Sequence, residues 1–283
     1  MVKIITDYGF CFGVNYAIEK LIETGKKTSR VYLTHPLIHN VPENERLMKL
    51  GNASFYEKGL TMDKKDAVVL SAHGHTLEEE AIFQGKCEIV DATCPLIIQR
   101  YLKVMKEDKD ISYIFLGKKN HQETLGFLSH FPYFDLVDST LDLKAQLDQI
   151  PLKKKCVFIP QTTVSKSSWL AVKDYLEKHT TLVQVMDICP LYAKRSAQAI
   201  QAIKDLDPQT NYFIVCGDKT SSNAKEIYHA MALANPNLKG TIALDSSCLD
   251  FNELKNKDIY IASATSVNKE TVEKLKADLE LAI

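Results

Sequence analysis

The stretches Asp91-Ala92-Thr93-Cys94-Pro95-Leu96 and Asp187-Ile188-Cys189-Pro190-Leu191 share a Cys-Pro step, placed between a hydrophobic run and a helix-like run. A third cysteine, Cys11 in Gly9-Phe10-Cys11-Phe12-Gly13-Val14, has the same placement. After each of these cysteines the pattern runs helix, strand, polar turn, helix, strand, polar turn and helix. We therefore interpret the chain as three repeats, each led by one cysteine.

The repeated pattern decides the fold class. Strands that alternate with helices are typical of parallel α/β units. The predicted fold is α/β, with three similar domains whose parallel sheets surround a pseudo-threefold axis. We place the domains at residues 12–93, 94–188 and 189–283, and we expect the N-terminal strand within residues 1–11 to join the third. The helices that begin at Cys94 and Cys189 are expected to end near Asp108 and Leu206.

Composition narrows the function classes. Of the 283 residues, 45% are hydrophobic and 25% are charged, which is ordinary for a soluble globular protein. No basic stripe interleaves with aromatic residues, so nucleic acid is not an expected partner. No apolar run approaches the ~20 residues of a membrane span, so no membrane partner is expected. The N-terminus is too short and polar for a signal peptide, and we expect a cytoplasmic protein with reduced thiols.

Seven widely spaced cysteines favour metal ligation or buried thiols over disulfides. Four of them are expected to be small buried hydrophobic residues: Cys87, Cys156, Cys216 and Cys248. For Cys11, Cys94 and Cys189 the equivalent positions favour one shared iron–sulfur cluster at the centre of the repeat. Three thiolates on a four-iron cluster leave one iron without a protein ligand, and that iron could bind a substrate oxygen.

Polar turns follow the predicted strands, and their residues suit an anion. In parallel α/β units ligands lie beyond the carboxyl ends of the strands, where helix N-termini favour phosphate or diphosphate. The candidates are His39, His73, His121, Thr162, Thr163, Ser221, Ser222, Asn223 and Ser266. Helix capping and ordinary hydrogen-bonded histidines are the alternatives. Glu123 could store a proton if it is buried, or it could be a surface residue in the first turn of a helix.

Five motifs, in this order, carry a resemblance to a known family: Gly9-Phe10-Cys11-Phe12-Gly13-Val14, Ser71-Ala72-His73-Gly74, Asp91-Ala92-Thr93-Cys94-Pro95-Leu96, Gln161-Thr162-Thr163 and Ser221-Ser222-Asn223. They resemble the 4-hydroxy-3-methylbut-2-enyl diphosphate reductase family, the last enzyme of the non-mevalonate isoprenoid pathway. The resemblance runs from Gly9 to about Leu275. It implies three α/β domains around a central cluster.

The resemblance also implies a reaction and a set of roles. A substrate hydroxyl, bound at the open iron of one [4Fe-4S] cluster per chain, would leave as water. Two electrons and two protons would be consumed, giving isopentenyl and dimethylallyl diphosphates. The implied cluster ligands are Cys11, Cys94 and Cys189. The implied diphosphate ligands are His39, His73, His121, Ser221, Ser222, Asn223 and Ser266. Thr162 would contact the substrate near its hydroxyl, Glu123 would lie on the proton path, and these two with His121 would be the catalytic residues.

Three departures and two alternative function classes accompany the resemblance. One departure is the segment after Cys189, Pro190-Leu191-Tyr192-Ala193-Lys194, which is less typical of the family. The family often has His-Pro-Glu where this chain has His121-Gln122-Glu123, and usually a Gly-Ala-Ser turn where this chain has Ala264-Thr265-Ser266. A hydratase or dehydratase without net electron transfer, and a non-catalytic cluster sensor or phosphate-binding protein, are the other function classes. No G-x-G-x-x-G motif indicates a bound nucleotide cofactor, so an external electron donor such as ferredoxin or flavodoxin is expected.

Overall fold

The computed structural model describes residues 1–282, in which strands and helices alternate along the chain. The strands are β1 (Val2–Ile4), β2 (Val31–Leu33), β3 (Ala53–Phe55), β4 (Ala67–Leu70), β5 (Glu88–Asp91), β6 (Ile111–Gly117), β7 (Asp135–Asp138), β8 (Lys155–Pro160), β9 (Thr181–Val185), β10 (Asn211–Cys216), β11 (Gly240–Ala243) and β12 (Asp258–Ser263). The helices are α1 (Phe12–Gly25), α2 (Val41–Leu50), α3 (Leu77–Phe83), α4 (Pro95–Lys103), α5 (Gln122–His130), α6 (Leu143–Leu147), α7 (Lys166–His179), α8 (Pro190–Ile203), α9 (Ser222–Ala234), α10 (Phe251–Leu254) and α11 (Lys269–Ala282).

The strands form three four-stranded sheets, ordered β1-β12-β10-β11, β3-β2-β4-β5 and β7-β6-β8-β9. Every strand pair is parallel. The predicted α/β class with three parallel sheets is therefore confirmed. The pseudo-threefold arrangement of the domains around a common centre stays a prediction.

The N-terminal strand is placed by pairing with the end of the chain. In β1, Val2 lies opposite Ile259 and Ile4 opposite Ile261 of β12, so the predicted first strand is present. The chain divides into two compact units. Unit 1 comprises residues 1–15, 38–44 and the chain from Pro190 onward; unit 2 comprises residues 16–37 and 45–189. The three domain boundaries placed from sequence remain a prediction.

The central strands explain why the chain folds this way. All residues of β4, β6 and β10 are buried, because helices cover both faces of a parallel sheet. The helices bury one apolar stripe each, as α11 does with Val272, Leu275 and Leu279. A polar turn follows each of these strands at its carboxyl end. The candidate site residues are thus concentrated at the carboxyl edges of the sheets.

Two helices end earlier than the sequence pattern predicts. Helix α4 ends at Lys103 and not near Asp108, and α8 ends at Ile203 and not near Leu206. After α4, the hydroxyl of Tyr113 accepts from the N–H of Asp108 at 2.9 Å and donates to the carbonyl of Lys106 at 2.8 Å. These bonds tie the segment between α4 and β6 to the side chain of Tyr113 in β6. The prediction also missed the short edge strands β3 and β11. In the described residues, no helix is long and apolar enough to cross a membrane.

Candidate functional site

Each repeat-leading cysteine lies at the start of a helix. Cys11 directly precedes α1, Cys94 is the N-cap residue of α4, and Cys189 directly precedes α8. A helix N-terminus has unpaired N–H groups and partial positive charge, which favour a thiolate. All three cysteines are outside disulfides and partly exposed. The sequence repeat therefore places three accessible thiols in similar local surroundings.

The backbone of each cysteine is attached in the same way. Each N–H donates to the carbonyl of the second residue after a central strand: Cys11 to Thr265 at 3.2 Å, Cys94 to Ala72 at 3.0 Å and Cys189 to Thr162 at 2.9 Å. We call these polar segments the β4 turn (residues 71–73), the β8 turn (residues 161–163) and the β12 turn (residues 264–266). The predicted repeat is thus present at the level of single hydrogen bonds.

The chemistry of these cysteines fits an iron–sulfur cluster. Among residues 1–282, no three His, Cys, Asp or Glu side chains form a group that could hold one metal ion. In a cluster each thiolate binds a different iron, so the ligands need not converge on a single ion. Loops that each present one partly exposed thiol meet that requirement. That the three thiols share one cluster stays a prediction.

Glu123 is a buried carboxyl group held by the β8 turn. It lies in the first turn of α5 and is only 3% exposed. One carboxyl oxygen accepts from the N–H of Thr162 at 2.7 Å, and the other accepts from the Thr162 hydroxyl at 2.6 Å. Burial raises the pKa of Glu123, against the opposing effects of the Arg100 charge and of the Thr162 hydrogen bonds. The surface alternative for Glu123 is therefore wrong.

A buried glutamine fixes the course of the β8 turn. Gln161 is fully buried, and its side-chain oxygen accepts from the N–H of Lys118 at 2.9 Å. Its amide nitrogen donates to the Thr163 hydroxyl at 3.1 Å. The turn after β6 and the turn after β8 are therefore linked through one side chain. This contact presents Thr162 to Glu123 in a defined geometry.

His121 and His73 lie near each other in unit 2. Nδ1 of His121, the N-cap residue of α5, accepts from the N–H of Glu123 at 3.2 Å. A ring nitrogen that accepts carries no proton, so a neutral His121 holds its proton on Nε2. The rings of His73 and His121 are 5.7 Å apart, edge to face. The β4 turn positions His73, whose N–H donates to the Ser71 hydroxyl at 3.3 Å.

In unit 1, the β12 turn holds Asn223 as the β8 turn holds Glu123. The side-chain oxygen of Asn223 accepts from the N–H of Thr265 at 2.8 Å and from its hydroxyl at 3.2 Å. The side-chain nitrogen Nδ2 is buried and has no hydrogen-bond partner in the described residues. A buried donor without a partner is unfavourable unless a ligand accepts from it. Asn223 therefore has the character of a ligand-binding residue.

The remaining predicted anion ligands of unit 1 lie around the same turn. Ser221 caps α9 by accepting from the N–H of Ala224 at 3.3 Å, and Ser222 is the first residue of that helix. The Ser266 hydroxyl donates to the carbonyl of His39 at 3.3 Å. Burial lowers the pKa of His39, which favours a neutral imidazole. Unit 1 thus groups His39, Ser221, Ser222, Asn223 and Ser266 close to one helix N-terminus.

The structure corrects some expectations and adds residues that the sequence interpretation missed. Cys156 and Cys216 are buried as expected, whereas Cys87 is partly exposed and Cys248 is exposed, in a short 3-10 turn outside the sheets. The sequence interpretation assigned no role to Thr265, Arg100 and Arg195. It also missed the structural role of Gln161. Aligning the β8 and β12 turns would have identified Thr265. Counting six residues from Cys94 and Cys189 would have identified the two arginines.

Comparison with known proteins identifies relatives that match along most of the chain. The chain is 30% identical over 257 residues to the 4-hydroxy-3-methylbut-2-enyl diphosphate reductase of Helicobacter pylori strain P12, which covers 90% of this chain and 87% of the relative. It is 31% identical over 283 residues to the protein of the same name from Phocaeicola vulgatus, covering 95% and 94% of the two chains.

Solved structures and a family model cover nearly the whole chain. The E-1-hydroxy-2-methyl-but-2-enyl-4-diphosphate reductase of Plasmodium falciparum matches with a TM-score of 0.85 and 26% identity, over 99% of this chain and 87% of that one. A second solved reductase, 24% identical with a TM-score of 0.65, supports the fold alone. The family model described as LytB protein matches residues 2–280. The chain belongs to the LytB protein family.

Proposed function

We propose that this protein reductively removes the hydroxyl group of 4-hydroxy-3-methylbut-2-enyl diphosphate. The products would be isopentenyl and dimethylallyl diphosphates, and the reaction would be the last step of the non-mevalonate isoprenoid pathway. The curated relatives of the chain are named as this reductase. In the reaction a C–O bond breaks and two electrons are consumed; one proton leaves with the hydroxyl as water, and the other forms the new C–H bond.

The observation that carries the proposal is the buried carboxyl group of Glu123 against Thr162. A hydroxyl group leaves readily only when it receives a proton, and a positioned acid that is neutral near the working pH supplies one. Burial raises the pKa of Glu123 and so favours its protonated form. The Thr162 hydroxyl can both donate and accept, which suits it to lie between Glu123 and the substrate oxygen.

The groups around the β12 turn support recognition of the diphosphate. Asn223 has a buried donor without a protein partner in residues 1–282, and α9 directs its N-terminal N–H groups toward the same region. In unit 2, His121 lies at the N-terminus of α5, where its Nδ1 accepts from the N–H of Glu123, and it is a further candidate ligand. The proposed diphosphate ligands are His39, His73, His121, Ser221, Ser222, Asn223 and Ser266.

The proposed cluster ligands are Cys11, Cys94 and Cys189, with one [4Fe-4S] cluster per chain. The cluster would supply electrons and an open iron for the substrate hydroxyl. Because the sequence has no G-x-G-x-x-G motif, the electrons would come from a separate small redox protein such as ferredoxin or flavodoxin. We place the reaction in the cytoplasm, where thiols stay reduced.

Anaerobic turnover tests the proposal. The purified protein with its cluster reconstituted, a strong reductant and the hydroxymethylbutenyl diphosphate should yield both five-carbon diphosphates, with two electrons consumed per product. Product formation without electron consumption would identify a hydratase or dehydratase. An intact cluster with no turnover would contradict any catalytic assignment on this substrate.

The cysteine assignment has a matched control within the chain. Cys189→Ser should abolish the broad visible absorption of the cluster and the turnover together. Cys248→Ser should leave both unchanged, because Cys248 is exposed outside the sheets. Equal loss in the two variants would show that general thiol chemistry, and not a specific ligand, explains the result.

A further inference from the structure

The helices that follow Cys94 and Cys189 repeat an arginine at one position. Arg100 lies six residues after Cys94, and Arg195 lies six residues after Cys189. Arg195 is only 6% exposed, and most of Arg100 is also buried. Arginine is almost never buried without a specific partner. Two buried arginines at equivalent positions of a repeat therefore require a common explanation.

Both arginines make the same pair of contacts. Arg100 donates to the carbonyl of Asp187 at 2.6 Å and to the carbonyl of Pro160, the last residue of β8. Arg195 donates to the carbonyl of Gly9 at 2.7 Å and to the carbonyl of Ala264, the first residue after β12, at 3.0 Å. Each guanidinium thus joins the end of a strand to a loop elsewhere in its own unit.

The loops that they join are cysteine loops. Asp187 lies two residues before Cys189, and Gly9 lies two residues before Cys11. The arginine of one repeat therefore holds the loop that presents the cysteine of the next repeat. A planar guanidinium with donors in fixed directions can hold two carbonyls in a defined relation, which a flexible ammonium does less well.

The arginines also bring charge to these loops. The carbonyl partners satisfy hydrogen bonds but do not neutralise a cation. Burial lowers the pKa of each guanidinium, and nearby acidic groups oppose this shift: Glu123, then Cys189 and Asp187 for Arg100, and Cys11, then Asp7 for Arg195. A guanidinium stays protonated in proteins even so. Cys11 and Cys189 each lie near a permanent positive charge.

We propose that Arg100 and Arg195 are positioning residues, which fix the loops of Cys189 and Cys11 and stabilise the added negative charge when the cluster is reduced. This inference rests on the cluster in the proposed function. The first repeat differs: six residues after Cys11 the chain has Ala17. The loop of Cys94 has one more residue between the aspartate and the cysteine than the loop of Cys189 has. It is held locally, because the N–H of Thr93 donates to the side chain of Asp91 at 2.8 Å.

Two substitutions at each arginine distinguish the effect of its charge from the effect of its hydrogen-bonding geometry. In the reconstituted protein, Arg100→Met and Arg195→Met should each lower the reduction potential of the cluster, because a cation near the thiolates favours the reduced form. We expect about a tenfold change in the one-electron equilibrium constant, which is about 59 mV. The corresponding lysine variants should restore most of the potential. Arg30→Met is the control, since the guanidinium of Arg30 donates to the carboxylate of Asp66 and not to the backbone of a cysteine loop.

A second measurement needs no cluster. Hydrogen exchange of the cluster-free protein should show faster exchange in the segment 187–189 for both Arg100→Met and Arg100→Lys, and no change for Arg30→Met. Wild-type potentials together with unchanged exchange would overturn the proposal. If the arginine variants shift the potential but the wild-type protein shows no turnover, the proposal about the arginines stands and the proposed function is refuted. If the wild-type protein turns over the substrate but the variants change neither the potential nor the exchange, the proposed function stands and the proposal about the arginines is refuted.

Discussion

The β8 turn and the β12 turn are built alike but hold different side chains. In each, a threonine donates through its N–H and its hydroxyl to a residue in the first turn of a helix: Thr162 to Glu123 and Thr265 to Asn223. One partner is a carboxyl group that can carry a proton. The other is an amide that cannot titrate and offers a donor. The repeated scaffold therefore supplies the same geometry, and the single side chain that it holds determines whether the turn carries a titratable carboxyl group or a neutral amide donor.

The largest expected effect comes from making the β8 turn resemble the β12 turn. Glu123→Gln keeps an acceptor for Thr162 but removes the titratable proton. We expect kcat to fall about 10²–10⁴-fold, the usual contribution of a positioned acid, while the cluster absorption persists. Steady-state assays under anaerobic conditions measure this. Glu177→Gln, on the exposed face of α7, is the control. A variant within twofold of wild type would exclude Glu123 as the proton donor and assign proton delivery to another group.

The converse substitution makes the β12 turn resemble the β8 turn. Asn223→Asp can still accept from Thr265, so the turn should keep its shape. It replaces the buried Nδ2 donor by a negative charge that repels diphosphate. We expect KM to rise about 100-fold, or about 2.7 kcal/mol, with a smaller change in kcat. The exposed Asn237→Asp variant should match wild type. A fall in kcat at constant KM would contradict a role in diphosphate binding.

This comparison also shows what the sequence could predict. The strand and helix order was recoverable because hydrophobic runs and polar turns recur in phase with the three cysteines. Glu123 and Asn223 could be selected because each follows a buried strand. Their burial and their threonine partners could not, because those depend on contacts about 40 residues away in the chain. Thr265 was missed for this reason, although its turn aligns with that of Thr162.

Arg100 and Arg195 illustrate a second limit. Both lie on helices where an arginine looks like an ordinary solvated residue, and sequence periodicity does not show which carbonyl a long side chain reaches. Their partners Asp187 and Gly9 are 87 and 186 residues away along the chain. The early end of α4 has the same cause, since Tyr113 redirects the segment through side-chain bonds that no propensity encodes.

The smallest expected effect is a shift in the pH dependence of turnover, which should differ between variants of Thr162 and Thr265. If protonated Glu123 is the active form, turnover declines as pH rises through its raised pKa. The Thr162 hydroxyl donates to the carboxylate and so lowers that pKa; Thr162→Val should move the decline to higher pH, whatever its effect on the maximum rate. Thr265→Val should leave the decline in place, because Asn223 does not titrate. A downward shift for Thr162→Val, or equal shifts in both variants, would show that the pH dependence belongs to another group.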